Sequence, residues 1–165
     1  MSPSPRVSLV DVDDATAEQL LELAKRDASP DEVAPPLGGP GWNPERTAWF
    51  FGYHRAAAVG LDGPAGEKSW AVLSDGGVAG SVRLKRDASG THTAETGIWL
   101  GRSFRSRGIG GAALGLLLAE ARRAGMQRVT ARTLAANTSA QRLLAAAGAV
   151  LTPDDDGTVL AVVEL

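Results

Sequence analysis

Among the 165 residues there is no cysteine, one tyrosine and only two histidines. The missing thiols exclude disulfides, zinc–thiolate centres and a cysteine nucleophile. His54 and His92 stand too far apart for a histidine-based metal motif, so no metal is expected, and both read as surface residues. No apolar run approaches the roughly 20 residues that cross a bilayer. The opening MSPSPRVSLVDVDD has neither the basic nor the apolar region of a secretory signal. A cytoplasmic protein without a membrane partner is expected. Neither sign of charge dominates: the net charge of -2 argues against nucleic acid as a partner.

What is present suits a folded chain. Hydrophobic residues make up 44% and charged residues 22%, enough for a single domain over 1–165 with its own core. The charges are unevenly placed. Arg102, Arg105, Arg107, Arg122, Arg123 and Arg128 crowd the middle, and Asp154, Asp155 and Asp156 lie near the end. One site for an anion and another for a cation would fit that division.

Periodicity and turn residues give a coarse element order. Val7 to Val12 alternates as a strand does, and Asp13 or Asp14 can cap a helix over Ala15–Arg26. SPDEVAPPLGGPGWNP is a loop by composition, and Pro44 suits the first turn of a helix to Ala58. Strands follow at Ser69–Leu73, Val78–Lys85 and Thr93–Leu100. SDGG turns the first pair, with Gly76 and Gly77 supplying positive φ, and RDASGTH turns the second. A helix ends at about Ala124, before Gly125. A strand spans Val129–Leu134. A helix opening at Asn137 or Thr138 is closed by Gly148, and two strands flank PDDDG. The order implies an α/β or α+β fold around a mixed sheet.

RSRGIGG, Arg105 to Gly111, sits between a strand and an Ala/Leu-rich helix. A helix start presents N–H groups without intrahelical partners and partial positive charge. Glycine lets an anion approach them closely, and Arg105 and Arg107 add full charges, so the stretch reads as a phosphate cradle. It is not a nucleoside-triphosphate loop, because Gly111 and Ala112 stand where Lys-Ser/Thr is required. Gly108, Gly110 and Ala113 fit the dinucleotide pattern G-x-G-x-x-G/A. The acidic residue expected roughly 20 positions later is absent from QRVTARTL.

LGRSFRSRGIGGAALGLLL resembles the acetyl-CoA-binding motif of the GNAT N-acetyltransferase superfamily, Arg/Gln-x-x-Gly-x-Gly/Ala, at Arg105, Gly108 and Gly110. NTSAQRLLAAAGAV resembles that family's second motif at Asn137, Ala140 and Gly148. Together they span Leu100 to Val150, about a third of the chain, and look most like the ribosomal-protein and antibiotic-modifying branch. The resemblance implies one GNAT-like α/β domain. Its mixed, mostly antiparallel sheet of six to seven strands would be flanked by about four helices and splayed between the fourth and fifth strands.

The resemblance also implies the site. Backbone N–H groups of Arg105, Ser106, Arg107, Gly108, Ile109, Gly110 and Gly111 would hold the coenzyme A pyrophosphate. Trp99, Leu100 and Gly101 would pair with the pantetheine arm, the Leu100 N–H would polarise the acetyl carbonyl, and Asn137 would contact the cofactor. Ser139 could reach the sulfur. Glu95, sharing a strand face with Gly97 and Trp99, is the expected proton acceptor. Many relatives place a tyrosine seven residues after the asparagine, where this chain has Leu144. The general acid is therefore unassigned, with Tyr53 a distant substitute.

Substrate would lie along the first helices and the last hairpin. Trp42 and Trp49 could touch it, and Asp154, Asp155 and Asp156 could attract an amine. The acceptor could be an aminoglycoside, a polyamine or a protein N-terminus, and a homodimer is expected by family analogy. Two other readings stay open: a non-catalytic acyl-CoA-binding module, motivated by Leu144, and a dinucleotide-binding oxidoreductase.

Overall fold

In a computed structural model that describes residues 4–88 and 92–165, the chain forms one seven-stranded sheet in the order β1-β2-β3-β4-β5-β7-β6. The strands are β1 (Val7–Asp11), β2 (Glu67–Ser74), β3 (Gly77–Arg86), β4 (Thr93–Leu100), β5 (Arg128–Leu134), β6 (Val150–Pro153) and β7 (Thr158–Glu164). The helices are α1 (Asp14–Asp27), α2 (Pro30–Val33), α3 (Pro44–Ala57), α4 (Ile109–Arg123) and α5 (Thr138–Ala146). Only β4 and β5 pair in parallel; every other ladder is antiparallel. That topology is incompatible with a dinucleotide-binding fold, whose sheet is mostly parallel. Among the described residues no helix is long and apolar enough to cross a membrane.

Local chemistry explains the helix ends. The Asp13 carboxylate accepts from Thr16 N–H (2.8 Å) at the start of α1, and Asn43 accepts from Arg46 N–H (2.9 Å) ahead of Pro44 at the start of α3. Gly125 (φ 84°) and Gly148 (φ 94°) take the left-handed conformation that closes α4 and α5.

Two apolar layers enclose the sheet. On one face Trp70, Val72, Val82, Leu84 and Ala94 pack against Ile109, Leu114, Leu117 and Leu118 of α4. On the other, Val12, Leu20, Leu21 and Phe50 of the α1/α3 side cover Ala71, with Trp99 against them. Burial of this kind stabilises by roughly 25 cal/mol per Å² of apolar surface.

Three local readings need correction. Positive φ in the SDGG hairpin falls on Asp75 (50°) and Gly76 (86°), while Gly77 already belongs to β3. An Asp-Gly pair at the two central positions is the turn whose twist matches a hairpin. The loop after α1 carries α2, opened by a Ser29/Glu32 capping box. The arginine-rich middle is not one patch. Arg122 and Arg123 lie at the far end of α4 from Arg105 and Arg107, about 20 Å along the helix axis at 1.5 Å per residue. The tip of the predicted RDASGTH turn, Ser89–Thr91, lies outside the described residues.

Arg46 organises the segment between α2 and α3. Its side chain is fully buried. It donates to the carbonyls of Pro35 (2.9 Å), Gly41 (2.8 Å) and Ala34 (3.3 Å) and to the Asp31 carboxylate (2.5 Å). Arg46→Met leaves those acceptors without a donor. We expect a loss of about 3 kcal/mol in urea unfolding, with faster proteolysis between residues 34 and 43.

Candidate active site

The parallel ladder between β4 and β5 consists of three pairs, Thr93–Arg128, Ala94–Val129 and Glu95–Thr130. Beyond them each strand follows its outer neighbour. β4 stays paired with β3 as far as Leu100, and β5 stays paired with β7 as far as Leu134. The sheet opens between them into a cleft of about 720 Å³.

The phase of the β3–β4 ladder says which polar groups face this gap. Gly101 N–H donates to Ala79 C=O at 2.9 Å, and Asp87 N–H donates to Thr93 C=O at 2.9 Å. In an antiparallel ladder the bonding direction alternates, so Glu95, Gly97 and Trp99 point their backbone groups at β3. Thr96, Ile98 and Leu100 point theirs the other way, into the cleft.

The glycine–arginine loop lies at one end. Gly108 (φ 81°) precedes α4 without a side-chain cap. A Cβ at Gly108 or Gly111 would meet nothing within 4 Å, so both face open space. Gly110 is a close approach instead, because a Cβ there would lie 2.6 Å from Leu143 of α5. Ser106, Gly110, Gly111, Asn137, Ser139 and Leu144 all line the cleft.

Several expected contributors are engaged otherwise. The Arg105 N–H donates to Arg102 C=O (3.2 Å). Its guanidinium bonds Leu100 C=O (2.9 Å from Nη2) and Glu32 (2.7 Å). The Gly101 N–H is bound to β3, and the Ile109 side chain is core. Arg107 sits 6.0 Å from the Phe104 ring centroid and does not line the cleft. The Asn137 side-chain oxygen caps α5 through Ala140 N–H (3.1 Å). Leu144 is buried between cleft and core.

A second cleft of about 680 Å³ lies on the α3 side of β2, β3 and β4, and both clefts share Glu32, Arg83, Glu95, Gly97, Ile98 and Trp99. The register builds its floor in rows: Glu67–Lys85–Glu95, Ser69–Arg83–Gly97 and Ala71–Ser81–Trp99. Arg83 Nη2 donates to Glu95 (2.8 Å), and its Nη1 lies 3.9 Å from Glu67. Tyr53 donates to Glu67 at 2.5 Å and stacks on Trp49 with centroids 5.2 Å apart. Burial, with Glu67 beside it, pushes the Tyr53 phenol far above its ordinary value. It stays a bound donor in this cleft and lines no part of the other.

His54 is not a surface residue. The α3 face that carries it packs onto β2, leaving it 3% exposed with Nδ1 2.8 Å from Ser69 Oγ. Nor do the expected acceptor contacts all converge. Trp42 packs edge-on against Phe50 (6.1 Å) outside both clefts, and its buried Nε1 has no partner among the described residues. Asp154 pairs with Arg132, and Asp156 accepts from Thr158 N–H (3.0 Å) and hydroxyl (2.6 Å). Asp154, Asp155 and Asp156 line neither cleft, because the first and last carboxylates hold the β6–β7 hairpin. No sequence motif marks Arg83, Glu67 or Glu32. The strand pattern alternating polar residues at Arg83 and Lys85 against Glu95 is the one signal that could have found the first.

The chain belongs to the acetyltransferase (GNAT) family, whose pattern it matches over residues 19–149. It is 31% identical over 90 residues to the acetyltransferase Pat of Mycolicibacterium smegmatis, a match covering 54% of this chain and 27% of Pat. The match thus spans about a quarter of that relative's length. Among solved structures, the GNAT domain of S. lividans PAT aligns with a TM-score of 0.71 at 24% identity, covering 98% of this chain and 90% of that one. Mycobacterium smegmatis RimJ in complex with CoA-disulfide aligns at 0.78 and 20% identity, covering 96% and 81%. The Salmonella typhimurium acetyltransferase yncA, solved with acetyl-CoA, aligns at 0.70 and 18%, covering 96% and 94%.

Burial lowers the His54 pKa from 6.5 to about 4. Between those values the unfolded chain binds a proton that the folded chain refuses, so stability falls as pH drops from 6.5 toward 4. The ceiling is about 3 kcal/mol at 1.36 kcal/mol per unit. Urea unfolding across that range should show the slope, and His54→Gln should flatten it.

Proposed function

We propose that the protein is an acetyl-CoA-dependent N-acetyltransferase that receives its acceptor amine through the α3-side cleft. The observation that carries this reading is the early end of the β4–β5 ladder. It leaves the backbone groups of Ile98 and the N–H of Leu100 facing a cleft that runs to an uncapped helix start, while the Leu100 C=O is held by Arg105.

The residues present fit coenzyme A. The bare glycine surfaces at Gly108 and Gly111 leave room for a diphosphate against the N–H groups of the first turn of α4. The exposed β4 edge offers alternating donors and acceptors to an extended amide chain. When bound, acetyl-CoA supplies the activated acetyl thioester.

The remaining work falls to the chain. The Leu100 N–H donates to the acetyl oxygen as negative charge develops there. Glu95, at the junction of the clefts, accepts the proton of the attacking amine directly or through water. Trp49 and Tyr53 form a flat wall beside the amine's path. Leu144 has no proton to give, and a thiolate leaves without a strong acid because its pKa is near 8.5. The acceptor is a primary amine such as an aminoglycoside, a polyamine or a protein N-terminus.

A second reading, an acyl-CoA-binding module without turnover, is favoured by Leu144 alone. Release of free thiol from acetyl-CoA with kanamycin, spermidine and a peptide bearing a free N-terminus separates the two: turnover with none of them, despite CoA binding, supports the module. Under the enzymatic reading Glu95→Gln lowers kcat by about 10²–10⁴-fold and leaves CoA affinity unchanged in calorimetry. Gly111→Asp places a carboxylate where a helix start tolerates it, so the melting temperature holds. CoA affinity should fall by about 10-fold or more through repulsion of the diphosphate. Unchanged affinity would put the cofactor elsewhere.

A further inference from the structure

Arg83 lines both clefts, yet the two sequence motifs of the family do not include it. Its guanidinium lies across Gly97: a Cβ built there would be 2.8 Å from Nε and 3.2 Å from Cζ. It touches the Glu95 carboxylate at 2.8 Å, with Glu67 3.9 Å away on the other side. Glu67 is nearly covered, its side chain 12% exposed, and Tyr53 donates to it as well. The Glu95 side chain is 53% exposed, and its carboxylate accepts from Arg83.

We propose that Arg83 is the positioning residue for Glu95, and that Gly97 is a glycine because any side chain would lift Arg83 off the sheet. The inference rests on Glu95 as proton acceptor in the N-acetyltransferase reading. The chain of contacts starts from a fixed point. Tyr53, half-buried on α3 and stacked on Trp49, holds Glu67; Glu67 attracts one side of the planar guanidinium; the other side holds Glu95 over the cleft junction. A glycine in a strand interior otherwise weakens the strand, so a close approach is what accounts for it. Arginine suits the place because its rigid fork reaches two carboxylates at once, which an ammonium does less well. An arriving amine meets a carboxylate already aimed, rather than one sampling rotamers in water.

The placement makes linked expectations. Arg83→Gln lowers kcat by about 10–100-fold with CoA affinity unchanged. Arg83→Lys, keeping the charge without the fork, recovers part of that loss. Losses in Arg83→Gln/Glu95→Gln do not multiply, because Arg83 acts through Glu95. Gly97→Ala leaves the guanidinium chemically intact but displaces it, and reproduces the kcat loss. A measurement independent of turnover reads the same contact: Gly97→Ala lowers the melting temperature when Arg83 is present and does not when residue 83 is alanine, which has no atom at the place of Nε. Turnover would be followed with whichever of kanamycin, spermidine or the peptide is acetylated by the unaltered enzyme. Full turnover in Arg83→Gln, multiplicative losses with Glu95→Gln, or an equal melting effect of Gly97→Ala in both backgrounds overturns the proposal while leaving Glu95 its role. Full turnover in Glu95→Gln removes the base itself and is a failure of the earlier reading.

Discussion

The site depends on a ladder that stops. Two antiparallel sub-sheets, β1 to β4 and β5-β7-β6, are joined by three residue pairs, and the join ends at Glu95–Thr130. Both strands continue past that point along their outer partners, so opening the gap costs neither sub-sheet its own hydrogen bonds. An unpaired strand edge is normally a liability that invites association with another strand. Here the edge is recessed between α4 and α5, which leaves it accessible to a slender ligand and shielded from a second sheet.

The same geometry separates charge by function. The positive end of α4, with its open glycines, faces one mouth of the gap, where a diphosphate would be welcome. The floor of the other cleft alternates Glu67, Lys85 and Glu95 over Arg83. Its cations and carboxylates are balanced within two rows, so it exerts little net pull on a polycation, and under the proposed function it would give an amine a local partner instead. Arg105 belongs to neither class. With its guanidinium on Leu100 C=O and Glu32, it ties α2 to the end of β4. Its side chain thereby braces α2 against the end of β4.

Much of this was legible in the chain, because the features that announce themselves are local. Prolines, glycines and capping side chains set the ends of α1, α3, α4 and α5, and the glycine–arginine motif marks the helix start. What was not legible depends on partners distant in sequence. His54 looks like a surface histidine until α3 is laid on Ser69. Asp154 and Asp156 look like bait for an amine until Arg132 and Thr158 are found beside them. Arg83 and Gly97 are unremarkable in one dimension; only the β3–β4 register makes a missing Cβ and a guanidinium one feature. Side-chain alternation did place Glu95 with Gly97 and Trp99, since a period of two survives whatever the strand pairs with.

Leu144 sets the character of the cleft wall. A hydroxyl at that position would stand at the cleft wall, ready to protonate a departing sulfur. The leucine instead joins the core with Leu114 and Leu118 while still lining the cleft. Its presence keeps that wall apolar, which strengthens the electrostatic contacts made elsewhere in the gap, the Leu100 N–H above all. The chemistry is then weighted toward the attacking side. Deprotonating the amine needs an aimed base, whereas expelling a thiolate needs little help. A site that provides for the first and omits the second suits amide formation from a thioester, and with Glu95 as the proposed base the rate would depend most on how firmly that carboxylate is held.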